Sequence, residues 1–176
     1  MRRLMLLRHA KSDWPEGTDD RERPLARRGR DVSPMMGRYM ADEGLLPDLV
    51  LVSTARRARE TWDLACPAFA QNMASHPEPR LYEADSNAIL DVIRKTQPGV
   101  RTLLLIGHNP GFQDLAIALA GTGRQSDLAR LQRKYPTAGL VVIDLEIDDW
   151  SQASGAHGRL ERFETPKTLA DHPAFR

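Results

Sequence analysis

The sequence predicts a three-layer α/β/α sandwich around a mostly parallel sheet, and three observations carry that expectation. Four short apolar runs, centred on Leu4–Leu7, Leu49–Val52, Leu103–Ile106 and Leu140–Ile143, are too brief for helices and too continuous for strands with one wet face, so they read as strands buried on both sides. Between them lie segments with apolar residues at three- and four-residue steps, the mark of helices with one buried face. The third observation is size: 176 residues with 41% hydrophobic content suffice for one domain with its own core, here residues 1–165 followed by a tail over 166–176.

The first strand ends abruptly in Arg8 and His9. Residues 11–20 contain Pro15, Gly17 and several polar side chains and read as a loop over that strand end. A helix follows through Val32, Met35, Met36, Tyr39 and Met40 to Gly44. Pro34 is expected in its first turn with Ser33 as N-cap, or at a kink joining a short preceding turn. Asp48–Ser53 is the second strand. The next helix buries Ala58, Trp62 and Ala65 but gathers Arg56, Arg57 and Arg59 near its start, where the macrodipole disfavours cations by ~0.3–1 kcal/mol each. An anion there would reverse the sign, because helix-start amides and guanidiniums would face the same charge. Arginines curled into water are the plain alternative.

Residues 67–79 read as a loop with a frayed helix end, leaving His76 on the surface, since no second metal ligand stands at helical or hairpin spacing. Arg80–Ala84 is expected as a short strand, and Asp85 or Ser86 as the cap of a helix through Ile93 that Gln97-Pro98-Gly99 stops. Thr102–Ile106, the third strand, ends in Gly107-His108-Asn109-Pro110-Gly111, where Asn109 suits an N-cap and Pro110 the first helical position. The helix through Leu119 ends at Gly121. Thr122–Arg124 reads as a loop, Ser126–Arg133 as a short helix, Gly139–Leu145 as the fourth strand and Leu160–Glu164 as an edge strand. His157 and His172 read as surface, and the tail as mobile or packed over the surface.

The 25 basic and 24 acidic side chains nearly cancel, so no global field points to nucleic acid or an anionic membrane, and Arg27-Arg28-Gly29-Arg30 has no aromatic platform beside it. A single cysteine, Cys66, allows no internal disulfide and completes no zinc pattern. A reducing compartment follows, and with no signal-peptide core or membrane-spanning run the expected location is cytoplasmic.

The chemistry gathers at strand ends. Two histidines and clustered arginines, without a carboxylate pair or nearby cysteine, suit phosphoryl transfer. A neutral imidazole attacks phosphorus in line while guanidiniums hold the equatorial oxygens. No acidic third ligand at recognisable spacing supports a metal site, and no glycine-rich run ends in Lys-Ser or Lys-Thr, so neither metal nor cofactor is expected.

Leu7-Arg8-His9-Ala10, Ser53-Thr54-Ala55-Arg56-Arg57-Ala58-Arg59-Glu60-Thr61 and Gly107-His108-Asn109-Pro110 resemble, in order and separation, the three signature stretches of the histidine phosphatase (phosphoglycerate mutase-like) superfamily. Arg23-Pro24-Leu25 with Gly29, and Lys134-Tyr135-Pro136-Thr137, are similar to its small SixA-like branch of phosphohistidine phosphatases. The resemblance implies that His9 accepts the phosphoryl group, that Arg8 and Arg57 bind it, that His108 binds it and stabilises developing charge, and that water then hydrolyses phosphorylated His9. Arg56 becomes a neighbour.

Two departures matter. Ala10 stands where the family often has glycine, and the general acid of larger members has only a positional candidate here, Glu83. An imidazole leaving group, with a reference pKa near ~6.5, needs far less protonic help than an alkoxide, so a weak acid favours P–N bonds. The expected substrate is therefore phosphohistidine in a protein, such as a histidine-containing phosphotransfer protein in signal transduction. The alternatives are a small phosphorylated metabolite cleaved with Glu83 as acid, and a phosphate-recognising module without turnover.

Overall fold

The computed structural model describes residues 1–176. Its strands are β1 (Arg2–Arg8), β2 (Leu49–Val52), β3 (Ser75–Pro77), β4 (Thr102–Gly107), β5 (Ala120–Gly123), β6 (Leu140–Leu145) and β7 (Gly158–Glu164), and its α-helices are α1 (Arg27–Asp42), α2 (Arg56–Ala65), α3 (Ser86–Arg94), α4 (Gly111–Leu119) and α5 (Gln125–Arg133). They form one sheet in the order β3-β2-β4-β1-β6-β7-β5. The pairs from β3 through β1, and β7 with β5, are parallel; β6 runs antiparallel to both β1 and β7. The mostly parallel three-layer sandwich is thus the observed architecture.

Side-chain alternation along β1 divides the core. Leu4 and Leu6 join Ile89, Val92 and Ile93 of α3, Phe112 and Leu115 of α4 and Leu131 of α5 on one face. Met5 and Leu7 join Met36, Tyr39 and Met40 of α1 and Ala58, Trp62 and Ala65 of α2 on the other. Because successive strand residues point to opposite faces, an unbroken apolar run is what a doubly covered strand requires.

Several elements differ from expectation. Helix α1 begins at Arg27 and carries Pro34 inside it, rather than starting at Ser33. A proline there removes a ladder bond at a cost of ~3 kcal/mol. Packing of Met36, Tyr39 and Met40 outweighs it, and Ser33 Oγ, wholly buried, donates to the Gly29 carbonyl at 2.7 Å. Arg80–Ala84 is not a strand: Pro79–Leu81 forms a 3-10 turn, buried Leu81 anchors it, and Glu83 follows with φ 53°. The edge strand lies just upstream, at Ser75–Pro77, with His76 exposed on it. Ala120–Gly123 is a strand where a helix end at Gly121 and a loop over Thr122–Arg124 are expected, so β7 is internal and β5 is the sheet's other edge.

The last eleven residues pack on α1. Leu169 and Ala174 are buried, Arg38 Nη2 donates to the Ala174 carbonyl at 3.0 Å, and the His172 ring stands edge-on to Tyr39 at 5.0 Å. His172 is therefore held against α1 rather than free on the surface.

Candidate active site

Parallel pairing of β2, β4 and β1 puts their carboxyl ends on one rim, the usual ligand rim of α/β sheets. Arg8 is in register with Gly107, so the next residues, His9 and His108, emerge side by side with ring centroids 5.2 Å apart. Arg57 is the second residue of α2, whose start follows β2 directly. The rim opens into a cavity of about 250 Å³ lined by Arg8, His9, Arg23, Arg57 and His108 among others. The predicted group of Arg8, His9, Arg57 and His108 lies together. Wider hollows elsewhere, at Leu145–Asp148 and at Thr122–Asp127, gather no comparable set of donors.

His9 is only 7% exposed. Its Nδ1 lies 2.8 Å from the Ala10 carbonyl, which can only accept, so Nδ1 carries the proton and the lone pair sits on Nε2. Burial, with His108, Arg8 and Arg57 adding repulsion, lowers its pKa to about 3, and the ring is neutral at ordinary pH. His108 is lowered to about 4, by burial first and then Arg57. Its Nε2 is 2.7 Å from Ser53 Oγ, and its Nδ1 is buried without a partner.

Five buried side-chain polar atoms lack a partner, and three belong to residues that line the cavity: Arg8 Nε, Arg57 Nε and His108 Nδ1. An unsatisfied buried polar group costs about 1–3 kcal/mol, so the site holds an unmet demand that an oxyanion would meet. Arg8, whose pKa is lowered mainly by burial, donates through Nη1 to the Tyr135 carbonyl at 2.8 Å, and Asn109 Nδ2 donates to the same oxygen at 3.0 Å. Helix α4 starts at Gly111, one residue later than predicted. Asn109 still serves it, its Oδ1 accepting from Gln113 N at 3.2 Å while its amide is tied to Tyr135.

Sequence reasoning missed Asp20. Its backbone carbonyl accepts from Arg57 Nη1 at 2.7 Å, and its carboxylate takes Arg57 Nη2 at 3.2 Å, Arg23 Nη1 at 3.2 Å and the Tyr82 hydroxyl at 2.5 Å. Tyr82, with Arg23 and Arg57, holds its pKa down at about 2, so it is ionised and cannot deliver a proton at neutral pH. The only sequence signal was its i,i+3 spacing from Arg23. Glu60 and Thr61, quoted without a role, fasten the rim: Glu60 Oε1 accepts from Leu25 N at 2.9 Å, and Thr61 Oγ1 accepts from Ala10 N at 3.0 Å. Glu83 is exposed and does not line the cavity; Arg56 is exposed beside Glu60. No group of three or more His, Cys, Asp or Glu side chains is placed to hold a metal ion, and no helix is long and apolar enough to cross a membrane.

Fold and cavity together define an α/β protein with a cationic, histidine-bearing rim that can hold a tetrahedral oxyanion. Residues 4–91 match the family model of the histidine phosphatase superfamily (branch 1). An uncharacterized protein of Mycobacterium tuberculosis is 34% identical over 163 residues, spanning 92% of this chain and 100% of that one. An Agrobacterium tumefaciens structure, provisionally named phosphohistidine phosphatase SixA, is 32% identical with TM-score 0.79 over 94% of this chain and 98% of that one. A Nakamurella structure named likewise is 25% identical with TM-score 0.77 over 94% and 96%. The chain belongs to the histidine phosphatase superfamily.

Proposed function

We propose that this phosphatase hydrolyses phosphohistidine in a protein, without a metal, through a phosphorylated His9. The observation that carries the reading is the state of His9: neutral, with Nδ1 bound to the Ala10 carbonyl and Nε2 left as the attacking atom among Arg8, Arg57 and His108. His9 Nε2 forms a bond to phosphorus as the bond to the substrate ring breaks; that ring, protonated on its other nitrogen, departs as neutral imidazole, while His9 keeps its Nδ1 proton as a phosphoimidazolium from which water later releases neutral His9 and dihydrogen phosphate. The guanidiniums and His108 hold the oxygens through the transition state, and water then displaces His9.

The carboxylates near the cavity support this substrate class. Glu83 stands outside the cavity, and Asp20 is kept ionised by Tyr82, Arg23 and Arg57. A site without a ready carboxylic acid favours a leaving group that departs as imidazole over one that departs as alkoxide. Rapid-quench trapping with a phosphohistidine protein and with sugar phosphates tests this. An acid-labile phosphate on His9, with faster turnover of the P–N substrate in both parent and Glu83→Gln, is expected. Faster turnover of esters with a large loss in Glu83→Gln would overturn it in favour of ester hydrolysis, and absence of any adduct would leave a binding module.

A further inference from the structure

A second hollow adjoins the catalytic cavity. Its volume is about 260 Å³, it shares Lys11 and Thr137 with that cavity, and Arg28, Lys134 and Lys167 complete a cationic lining that contains no carboxylate. A shallower hollow of about 180 Å³ continues it, sharing Lys134, Pro136, Thr165 and Lys167 and adding Arg133. The five cations come from four places in the fold: the turn after β1, the first turn of α1, the end of α5 and the segment after β7. All five are exposed, and none takes part in the chain's ion pairs. Glu164, the nearest acid in sequence to Lys167, is engaged instead by the Thr168 hydroxyl at 2.8 Å.

In a chain whose formal net charge is only +1, this is a local segregation of charge and not a by-product of a basic protein. Elsewhere on the surface, Arg3, Arg80, Lys95, Arg159 and Arg162 are each matched with a carboxylate, while Arg21, Arg101 and Arg176 also lack an ion pair, so what marks the groove is the gathering of cations around a hollow whose lining holds no acid. Five unmatched cations in a row repel one another, and a complementary anionic surface would relieve that repulsion.

We propose that this basic groove is the docking surface for carboxylates that flank the phosphohistidine on an acidic protein partner. The proposal rests on the function argued above and names what accompanies the phosphoryl group. Extent decides in favour of a protein. A metabolite with one further anionic group would engage the two or three cations nearest the phosphoryl pocket, whereas the charges continue past that hollow to Arg133. A row of side-chain carboxylates on a folded or extended partner spans such a strip. Docking of this kind acts on encounter and KM, leaving the chemical step to Arg8, His9, Arg57 and His108.

The test compares two phosphohistidine peptides of equal length, one flanked by Asp and Glu and the other by Asn and Gln, with the parent chain and the double variant Lys134→Gln, Lys167→Gln. In the parent at low salt, the acidic peptide is expected to have a kcat/KM about tenfold higher, through KM, since each exposed charge pair contributes a modest factor. Raising the salt should erase the preference. The double variant should lose most of it while turning over the neutral peptide within about twofold of the parent. Equal turnover of both peptides by the parent, or a preference unchanged in the variant, overturns the proposal. So does a variant that binds inorganic pyrophosphate more weakly yet keeps its peptide preference, which would assign the groove to a small anion. If the parent cleaves neither peptide but cleaves phosphate esters, the phosphohistidine reading itself fails and takes the docking surface with it.

Discussion

Binding of an oxyanion should place a proton on His108. In the free protein, burial and the Arg57 charge hold this ring at about 4, so it is neutral at pH 7. An anion hydrogen-bonded to it, taken as one net charge about 4 Å away at an effective dielectric of 20, contributes roughly 4 kcal/mol. At about 1.36 kcal/mol per pH unit, that raises the midpoint by about three, to near 7. The complex then holds one more proton than the free protein between pH 4 and 7. Affinity for the anion therefore falls about tenfold per pH unit as pH rises through that window, and is level outside it. NMR titration of the His108 ring with and without tungstate measures both midpoints, and calorimetry in buffers of different ionisation enthalpy counts the proton. A free ring titrating near its ordinary 6.5, or a midpoint that tungstate leaves in place, would refute the electrostatic argument.

Arg57→Lys keeps the charge but loses the planar fork, and kcat/KM should fall about 10²–10³-fold in steady-state assays with the fold unchanged by circular dichroism. Asp20→Asn removes a carboxylate that shares Arg57 and repels an incoming dianion, so inorganic phosphate should bind severalfold more tightly by calorimetry; weaker binding would instead make Asp20 a positioning residue for Arg57. Folding stability should fall as pH drops from about 6.5 toward 3, because His9 takes a proton in the unfolded chain before it can in the folded one. By pH 4.5 the loss from this residue is about 2–3 kcal/mol, and denaturant titrations of His9→Gln should show a flatter acid limb.

The group around the candidate site was legible because each member sits at an abrupt change of pattern. Arg8 and His9 end an apolar run, His108 ends another, and Arg57 stands at a helix start where a cation is costly. The rest was not legible, because the signal lies outside local pattern. Strand β5 is Ala-Gly-Thr-Gly, where only Thr122 favours a strand, and its partner in the sheet is β7. The early start of α1 was hidden by Arg27, Arg28 and Arg30, which give no apolar period, while Pro34 suggested a boundary that tertiary packing overrides. Gly29 is a case between the two. It was noted only for its resemblance, and its reason is steric: a Cβ there would lie 2.2 Å from the Lys11 carbonyl, so only glycine lets α1 approach the turn behind His9. Asp20 opens a 3-10 turn within a run of mixed polar residues, where its spacing from Arg23 is the one trace of its direction and its reach to Arg57 and Tyr82 leaves none.

Strand β1 has a parallel neighbour on one side and an antiparallel neighbour on the other, and its side chains feed both halves of the core. Opening it means breaking two ladders and wetting both interiors, so its amides should be among the slowest in the molecule to exchange with deuterium. His9 is thus mounted at the edge of the part least given to breathing, so the direction in which its ring points should not depend on motions of the surface loops.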